Sequence, residues 1–130
     1  HFFAALIKKI YFAKKFKKKS VEIWGSGKPK RELIYVDDLA EACIYFMNKK
    51  TKHSLINIGT QKEMSIKEYA LFIKRKLNLN IKIKFDQNKK IDGTPRKILD
   101  CSIAKSYGWK SKITLDQGFN QTYKHFLKHS

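Results

Sequence analysis

The sequence predicts a mixed α/β or α+β fold, on three observations. Apolar residues recur at helical spacing in four segments, shorter segments alternate or are continuously apolar as strands are, and the two kinds of segment follow one another along the chain. The predicted order is helix, strand, strand, helix, strand, helix, strand, loop and helix. At 130 residues the chain has room for one hydrophobic core.

The first half of the chain contains two predicted helices and three predicted strands. A helix over 2–19 places apolar residues on one face and lysines on the other. "VEIW" at 21–24 alternates like a strand, and "ELIYV" at 32–36 is a second extended segment. A helix over 37–49 follows. "SLINIGT" at 54–60 is continuously apolar and too short for a helix, so it is predicted to be a buried strand.

The second half is predicted to contain two helices, a strand and a long loop. Ser65 begins a helix, and Glu68 three residues later completes a capping box. "IKIKF" at 81–85 alternates, which predicts a strand with one lysine-bearing face. The segment 86–100 is rich in loop-forming residues, and the final helix begins at a second capping box whose first residue is Thr114.

The net charge of +18 is extreme for this length and raises the possibility of a nucleic-acid or anionic-membrane partner. Only three of the 29 basic residues are arginine, and the rest are lysine. With many Ile and Asn residues, this composition is typical of an AT-rich coding bias in which lysine is the ordinary surface residue. Evenly spread charge favours solubility more than a specific ligand, so a nucleic-acid-binding module stays the less favoured alternative.

The two cysteines, Cys43 and Cys101, do not have the spacing of metal ligands, and both are predicted to be buried free thiols in a reducing compartment. No apolar run approaches the roughly 20 residues that span a bilayer. The chain opens inside an amphipathic helix without an initiator methionine or signal peptide, which suggests a piece of a longer cytoplasmic protein. We expect neither a metal nor a membrane partner.

The loop "WGSGKPKRE" raises the question of a phosphate-binding motif. A dinucleotide fingerprint opens directly into a helix, whereas here Pro29 and an extended segment follow, and no third glycine has the right spacing. The remaining interpretation is a turn that presents Trp24 and Arg31, because an indole offers a flat face and a guanidinium matches phosphate oxygens. The alternative places Trp24 in the core and Arg31 in a salt bridge.

The loop "DGTPRK" is the second candidate, because a tight Asp-Gly turn followed by proline would hold Arg96 and Lys97 on a rigid segment. Where lysine is the default cation, arginine is expected where its bidentate geometry matters. Arg31 and Arg96 are therefore better candidates for an anion contact than any lysine, although Arg96 could instead pair with Asp100.

Several segments together resemble the GDP-L-fucose synthase family, which are extended short-chain dehydrogenase/reductases. They are "HFFAALIKKIYFA", "VEIWGSGKPKRELIYVDDLAEAC", "INIGT", "IDGTPRKILD" and "GWKSKITLDQGFNQTY", and they occur in order over nearly the whole chain. The glycine loop combined with "DGTPRK" is specific to this family, whereas "RExxYVDDxA" alone fits many nucleotide-sugar epimerases and dehydratases. The resemblance covers the carboxy-terminal, substrate-binding part. It implies conversion of GDP-4-keto-6-deoxy-mannose to GDP-L-fucose with NADPH.

The resemblance also implies roles for individual residues. His1 would reach the nicotinamide side of the cofactor and act as an acid in the 3,5-epimerisation, which suits a side chain that titrates near neutrality. Lys9 stands where the family usually has an arginine near the substrate, Arg31 would lie near the GDP diphosphate, and Lys97 at the nucleotide end of the site. The predicted substrate-binding set is Lys9, Trp24, Arg31, Arg96 and Lys97.

The segment 37–60 is predicted to belong physically to the nucleotide-binding Rossmann sheet, which would explain why strand 54–60 lacks neighbours in this chain. Asp37 and Asp38 are interpreted as helix-capping residues rather than catalytic ones, accepting free N–H groups of the first turn.

The chain departs from the family pattern where the chemistry is concentrated. The glycine-rich NADPH fingerprint, the Ser…Tyr-x-x-x-Lys group and the epimerisation cysteine are not found in these 130 residues. We therefore expect this segment alone to be inactive and to bind NADPH negligibly, since an amino-terminal half would hold most of the cofactor. The resemblance implies a homodimer for the full-length enzyme. Another nucleotide-sugar epimerase or dehydratase of the same superfamily is the alternative.

Overall fold

The computed structural model describes residues 1–89 and 92–130. Helices and short strands are mixed along the chain, which confirms the predicted α/β class. In chain order the elements are α1 (Phe2–Lys15), β1 (Ser20–Trp24), β2 (Lys30–Glu32), α2 (Val36–Met47), β3 (Glu63–Ser65), α3 (Ile66–Lys76), β4 (Lys82–Asp86), β5 (Arg96–Lys97), α4 (Ser102–Ser106) and α5 (Leu115–Lys128).

The chain divides into two compact units. The first contains His1–Arg31 and Met64–Lys97, and the second contains Glu32–Glu63 and Ile98–Ser130. Each unit is assembled from two segments that lie far apart in the sequence.

The first unit is built on the parallel pair β1 and β4, in which Ser20 lies beside Lys82 and Trp24 beside Asp86. Helix α1 contacts both β1 and α3. The buried side chains of α1 recur every three or four residues, as the sequence pattern predicted: Leu6, Ile7, Ile10 and Ala13. A second small sheet has the order β3-β2-β5, with β2 and β5 parallel.

The second unit packs around a cluster of buried residues, Ala42, Ala104 and Trp109. Five partly buried hydrophobic residues surround this cluster: Ile34, Tyr45, Phe46, Ile56 and Ile58. Helix α5 contributes Gly118, and a Cβ at that position would lie 3.2 Å from the Tyr35 ring. The close approach of α5 to Tyr35 is therefore favoured by the absence of a side chain at Gly118.

Both predicted capping boxes are present. The Ser65 side chain accepts from the Glu68 N–H at 3.1 Å while the Glu68 carboxylate accepts from the Ser65 N–H at 2.6 Å. Thr114 and Gln117 form the same reciprocal pair at the start of α5. Each pair satisfies two N–H groups that a helix terminus otherwise leaves without partners.

Two predicted strands differ from the structure, and the prediction that 54–60 joins a nucleotide-binding sheet stays a prediction, because no such sheet is found among the described residues. The segment predicted at 32–36 is displaced, since β2 ends at Glu32, Tyr35 is the extended N-cap residue of α2 and the helix begins at Val36. Residues 54–60 form no strand, because the described part of the chain offers them no partner with which to form a ladder. Ile56 and Ile58 pack on the core of the second unit, whereas Leu55 is 75% exposed.

Three short elements were not predicted: β3, β5 and α4. Strands of two or three residues are too short to show an alternating pattern, and a five-residue helix is barely longer than one turn.

The cysteines differ in burial. Cys101 is buried as predicted, and burial raises the pKa of its thiol above the ordinary value. Cys43 is exposed on α2, so its predicted burial is wrong, and neither thiol is in a disulfide. Among the described residues, no helix combines the length and apolar character needed to cross a membrane.

Candidate functional site

Three of the predicted substrate-binding residues, Lys9, Trp24 and Arg31, line one pocket of about 330 Å³ in the first unit. The rest of its wall is largely apolar and glycine-rich, with contributions from Leu6 and Ile23, and Asp92 also lines it. Pockets of this size with a few converging polar groups are typical of small-molecule sites.

The glycine loop is fixed by backbone hydrogen bonds at both ends. The Gly25 N–H donates to the Asp86 carbonyl at 2.8 Å, beyond the end of β1. The carbonyls of Gly27 and Pro29 accept from the Lys67 and Ile66 N–H groups at 2.9 and 3.0 Å. The first turn of α3 therefore holds the loop and has two of its free N–H groups satisfied by it.

Gly27 is required by two features of this loop. Its φ is +76°, a region that side chains rarely allow, and a Cβ there would lie 2.5 Å from the Phe85 ring. The loop runs into β2 rather than opening a helix, as the rejection of a dinucleotide fingerprint implied.

The Arg31 guanidinium is oriented by carbonyl oxygens. Its Nη1 donates to the Lys30 and Thr94 carbonyls, each at 2.7 Å. The backbone carbonyl of Arg31 accepts from the buried Tyr69 hydroxyl at 2.9 Å. Because these acceptors are neutral, they orient the guanidinium without neutralising it. Nη1 uses both of its hydrogens in this way, and among residues 1–89 and 92–130 this leaves Nη2 and Nε for a further acceptor.

Gly93 has no side chain, and a Cβ at this position would lie 4.0 Å from Arg31 Nη2. Gly93 therefore does not obstruct Nη2. Among the described residues, the guanidinium thus bonds to carbonyl oxygens and not to the carboxylate that the salt-bridged alternative requires.

Trp24 is 53% exposed, so the alternative that placed it in the core is wrong. The Lys9 ammonium lies 4.8 Å from the centroid of the indole ring, and Lys9 Nζ also donates to the Glu22 carbonyl at 3.1 Å. A cation–π contact at an exposed site contributes about 0.5–1 kcal/mol. Lys9 and the end of β1 therefore fix the indole at the pocket wall.

The second predicted loop lies against the first. The Asp92 carboxylate accepts from the Ser26 N–H at 2.9 Å and from the Ser26 hydroxyl, and the Lys30 N–H donates to the Pro95 carbonyl at 2.8 Å. The hydroxyl and then the N–H of Ser26 hold the pKa of Asp92 below its ordinary value. Sequence reasoning missed Asp92 and Ser26 as a pair.

Arg96 and Lys97 are exposed in β5 and do not line the pocket. Lys97 lies beside Arg31 in the parallel register, and Arg96 lies beside Lys30. Since successive residues of a strand point to opposite faces, Lys97 shares the face of Arg31 and Arg96 is on the other face. The structure brings Arg31 together with Lys97 and separates it from the Arg96 side chain.

His1 is the exposed N-cap residue of α1 and makes no side-chain capping bond. It does not line the pocket, but Phe2 does. The rings of Phe2 and Phe3 lie 5.4 and 5.8 Å from the Tyr69 ring, which anchors this end of α1 beside the Arg31 backbone. His1 therefore directly precedes a residue of the pocket wall.

Two carboxylates of the "RELIYVDD" segment are structural acceptors in the second unit. Asp38 is 2% exposed, and its Oδ2 accepts from the Lys112 and Ile113 N–H groups at 3.0 and 2.8 Å. Glu32 accepts from the Gln61 and Leu99 N–H groups.

The predicted capping role of Asp37 and Asp38 is therefore wrong. The N-cap residue of α2 is Tyr35, which has no side-chain capping bond, and Asp37 and Asp38 lie within the first turn. The free N–H groups that Asp38 binds belong to the distant 112–113 segment.

Comparison with known proteins finds similarity to proteins that carry the name of the family which the sequence motifs resemble. Residues 1–59 match the model of the NAD dependent epimerase/dehydratase family. GDP-L-fucose synthase 1 of Arabidopsis thaliana is 38% identical over 98% of this chain, which covers 39% of that protein. The GDP-L-fucose synthase of Escherichia coli K12 is 36% identical over 98% of this chain and 42% of its own length.

A solved structure gives the same result for the fold. The GDP-mannoheptose C4 reductase of Campylobacter jejuni, with NADP bound, superposes with a TM-score of 0.84 at 36% identity, over 97% of this chain and 44% of that one. The chain thus spans about two fifths of the length of the relatives it matches. Over nearly all of its residues it is similar to part of the GDP-L-fucose synthases, the family that its motifs resemble.

Proposed function

We propose that this chain is the substrate-binding part of an NADPH-dependent enzyme that epimerises and reduces GDP-4-keto-6-deoxy-mannose to GDP-L-fucose. One observation carries the proposal. Arg31 is oriented through Nη1 by two carbonyls, keeps Nη2 and Nε for an anion, and shares a pocket with a half-exposed indole. A diphosphate on the guanidinium and a sugar or base against Trp24 would fit these two surfaces.

The GDP part of the substrate has broader support than the sugar part. The relatives include a GDP-L-colitose synthase from Yersinia pseudotuberculosis, 36% identical over 98% of this chain, besides the fucose synthases and the mannoheptose reductase. Their names share GDP and differ in the sugar. The choice of fucose rests on the combination of the glycine loop with "DGTPRK", and another nucleotide-sugar epimerase or dehydratase is the alternative.

The residues present do not fit NADPH. The Gly25–Gly27 loop leads into β2, and two N–H groups at the nearest helix start, that of α3, are already bonded to carbonyls of this loop. A cofactor pyrophosphate needs such N–H groups free. We propose that NADPH binds mainly to the portion of the enzyme that this chain does not span, with His1 as the one contact from this chain and as the acid in epimerisation.

A second part of the proposal concerns an exposed apolar face of α2. Its members are Val36, Leu39, Ile44 and Met47, which are 63%, 41%, 62% and 83% exposed. Val36, Ile44 and Met47 lie on the side of the helix away from Ala42, which is fully buried, and Leu39 lies between that side and Ala42. Because the relatives are more than twice as long as this chain, we propose that the nucleotide-binding portion covers this face.

Replacing Met47 with aspartate tests that arrangement. In the 130-residue chain the side chain is exposed at the end of α2, so we expect the free energy of unfolding to fall by no more than about 1 kcal/mol, the cost of a carboxylate at a helix C-terminus. In the full-length protein the same charge would be buried against apolar groups, with an expected loss of about 2 kcal/mol or more. Urea unfolding of both proteins measures this, with Asn48→Asp as the control. Equal effects in the two contexts would refute burial of this face.

Titration of the full-length protein with GDP tests the function. Binding at one fixed guanidinium is expected to weaken only moderately between low and physiological salt. A polyanion site that uses many lysines would lose about 10³-fold or more over a comparable range. A single-stranded oligonucleotide that binds more tightly than GDP, with that steep salt dependence, would instead support the nucleic-acid alternative.

A further inference from the structure

Asp92 is an exposed carboxylate whose two oxygens both face Ser26. Oδ1 accepts from the Ser26 N–H at 2.9 Å, and Oδ2 accepts from the Ser26 hydroxyl. The same hydroxyl oxygen accepts from the Lys28 N–H at 3.1 Å, so its donor hydrogen is directed at the carboxylate. The arrangement joins a side chain of one loop to the backbone and side chain of the other.

The segment that follows Asp92 leads directly to Arg31. Two residues later, the Thr94 carbonyl accepts from Arg31 Nη1 at 2.7 Å. The next carbonyl, that of Pro95, accepts from the Lys30 N–H at 2.8 Å. Gly93, between Asp92 and Thr94, has no side chain to hold the segment in place. The Asp92–Ser26 contact is thus a side-chain anchor, among the described residues, for the backbone that orients the guanidinium.

We propose that Asp92 is a positioning residue for Arg31: its bonds to Ser26 hold the 92–94 segment where the Thr94 carbonyl fixes the guanidinium in the pocket. This inference rests on the proposed function, since the anion that Arg31 would receive is the GDP diphosphate. Asp92 acts through Arg31 and does not itself contact the diphosphate, which a bare carboxylate would repel. The Asp92 carboxylate instead accepts from two donors, the N–H and the hydroxyl of Ser26.

A double-mutant cycle distinguishes this role from a direct ligand contact. We expect Asp92→Ala in the full-length protein to weaken GDP binding about fivefold to tenfold, as for loss of one oriented hydrogen bond. In an Arg31→Ala background, Asp92→Ala should weaken GDP binding by less than about twofold, because the effects of two residues that act through each other are not additive. An undiminished loss in that background would overturn the inference while leaving the GDP site intact.

Two further variants sharpen the cycle. Ser26→Ala removes the hydroxyl donor but keeps the N–H, so it should weaken GDP binding less than Asp92→Ala does. The double variant should bind GDP as weakly as Asp92→Ala alone. Glu22→Ala is the control for removing one negative charge from the same unit. If the wild-type protein does not bind GDP, the proposed function fails and this inference fails with it. If it binds GDP but the effects of Asp92→Ala and Arg31→Ala are additive, only the role of Asp92 is wrong.

A measurement without ligand completes the test. Amide hydrogen exchange of the Lys30 N–H, which bonds to the Pro95 carbonyl, reports whether the two loops stay together. We expect Asp92→Ala to speed this exchange about tenfold while the melting temperature stays within about 2 °C of wild type. Unchanged exchange at Lys30 would show that the segment is held without Asp92, and the inference would be wrong.

Discussion

Replacing Arg31 with alanine in the full-length protein is expected to weaken GDP binding by about 1.5–3 kcal/mol, or roughly 10- to 150-fold, the usual contribution of a hydrogen bond to a charged group. The guanidinium is held by carbonyls at 2.7 Å and has two nitrogens left for the diphosphate. Arg31→Lys should recover the charge but not the bidentate geometry, so its affinity for GDP should lie between those of the wild-type protein and of Arg31→Ala. Isothermal titration with GDP gives these affinities directly.

The other two arginines of the chain serve as matched controls. Arg75 is exposed on α3, and Arg96 is on the opposite face of its strand from Arg31's neighbour Lys97. Each alanine variant removes the same formal charge, so each should change GDP binding by less than about threefold if the effect at Arg31 is local. Equal losses in all three variants would indicate binding by overall charge and would remove Arg31 from the site.

Replacing Asp38 with alanine should give the largest loss of stability, about 2–6 kcal/mol in the free energy of unfolding. The estimate follows because two N–H groups, those of Lys112 and Ile113, would lose their buried acceptor, and each such group costs about 1–3 kcal/mol. Asp38 is 2% exposed, so water cannot easily replace the carboxylate. Urea denaturation followed by circular dichroism measures the change.

Asp37 provides the control within the same helical turn. It is exposed and lies in the first turn of α2, where a carboxylate interacts favourably with the helix dipole. Asp37→Ala should therefore cost only about 0.3–1 kcal/mol. Similar losses for the two variants would mean that the Asp38 bonds to the 112–113 segment contribute little.

Much of the fold follows from local pattern. Helices α1, α2, α3 and α5 were predicted because their apolar faces and capping boxes are local in sequence. Strands β1 and β4 were predicted because they alternate over five residues. The segment 54–60 forms no strand among the described residues because a strand also requires a partner, and the sheet in which it was predicted to pair is not found among them. The same limit applies to β2 and β5, which are defined by pairing with each other.

The candidate site was predictable in part. Trp24 and Arg31 stood out because an indole and a rare arginine flank a glycine turn, and the structure places both in one pocket. The separation of Arg96 from Arg31 was not predictable, because it depends on the register of β2 and β5.

The pairing of Asp92 with Ser26 was missed for a related reason. The two residues are 66 positions apart, and each looks like ordinary turn chemistry alone. Asp37 and Asp38 were likewise assigned to the nearest helix terminus. Asp38 instead accepts from backbone N–H groups that are 74 and 75 residues away in the sequence.

The central claim is that the pocket between Lys9, Trp24 and Arg31 receives the nucleotide of an activated sugar. A crystal structure of the full-length protein with GDP bound tests this claim most directly. We expect a diphosphate oxygen within about 3 Å of Nη2 or Nε of Arg31. GDP bound elsewhere, with Arg31 still facing solvent, would contradict it.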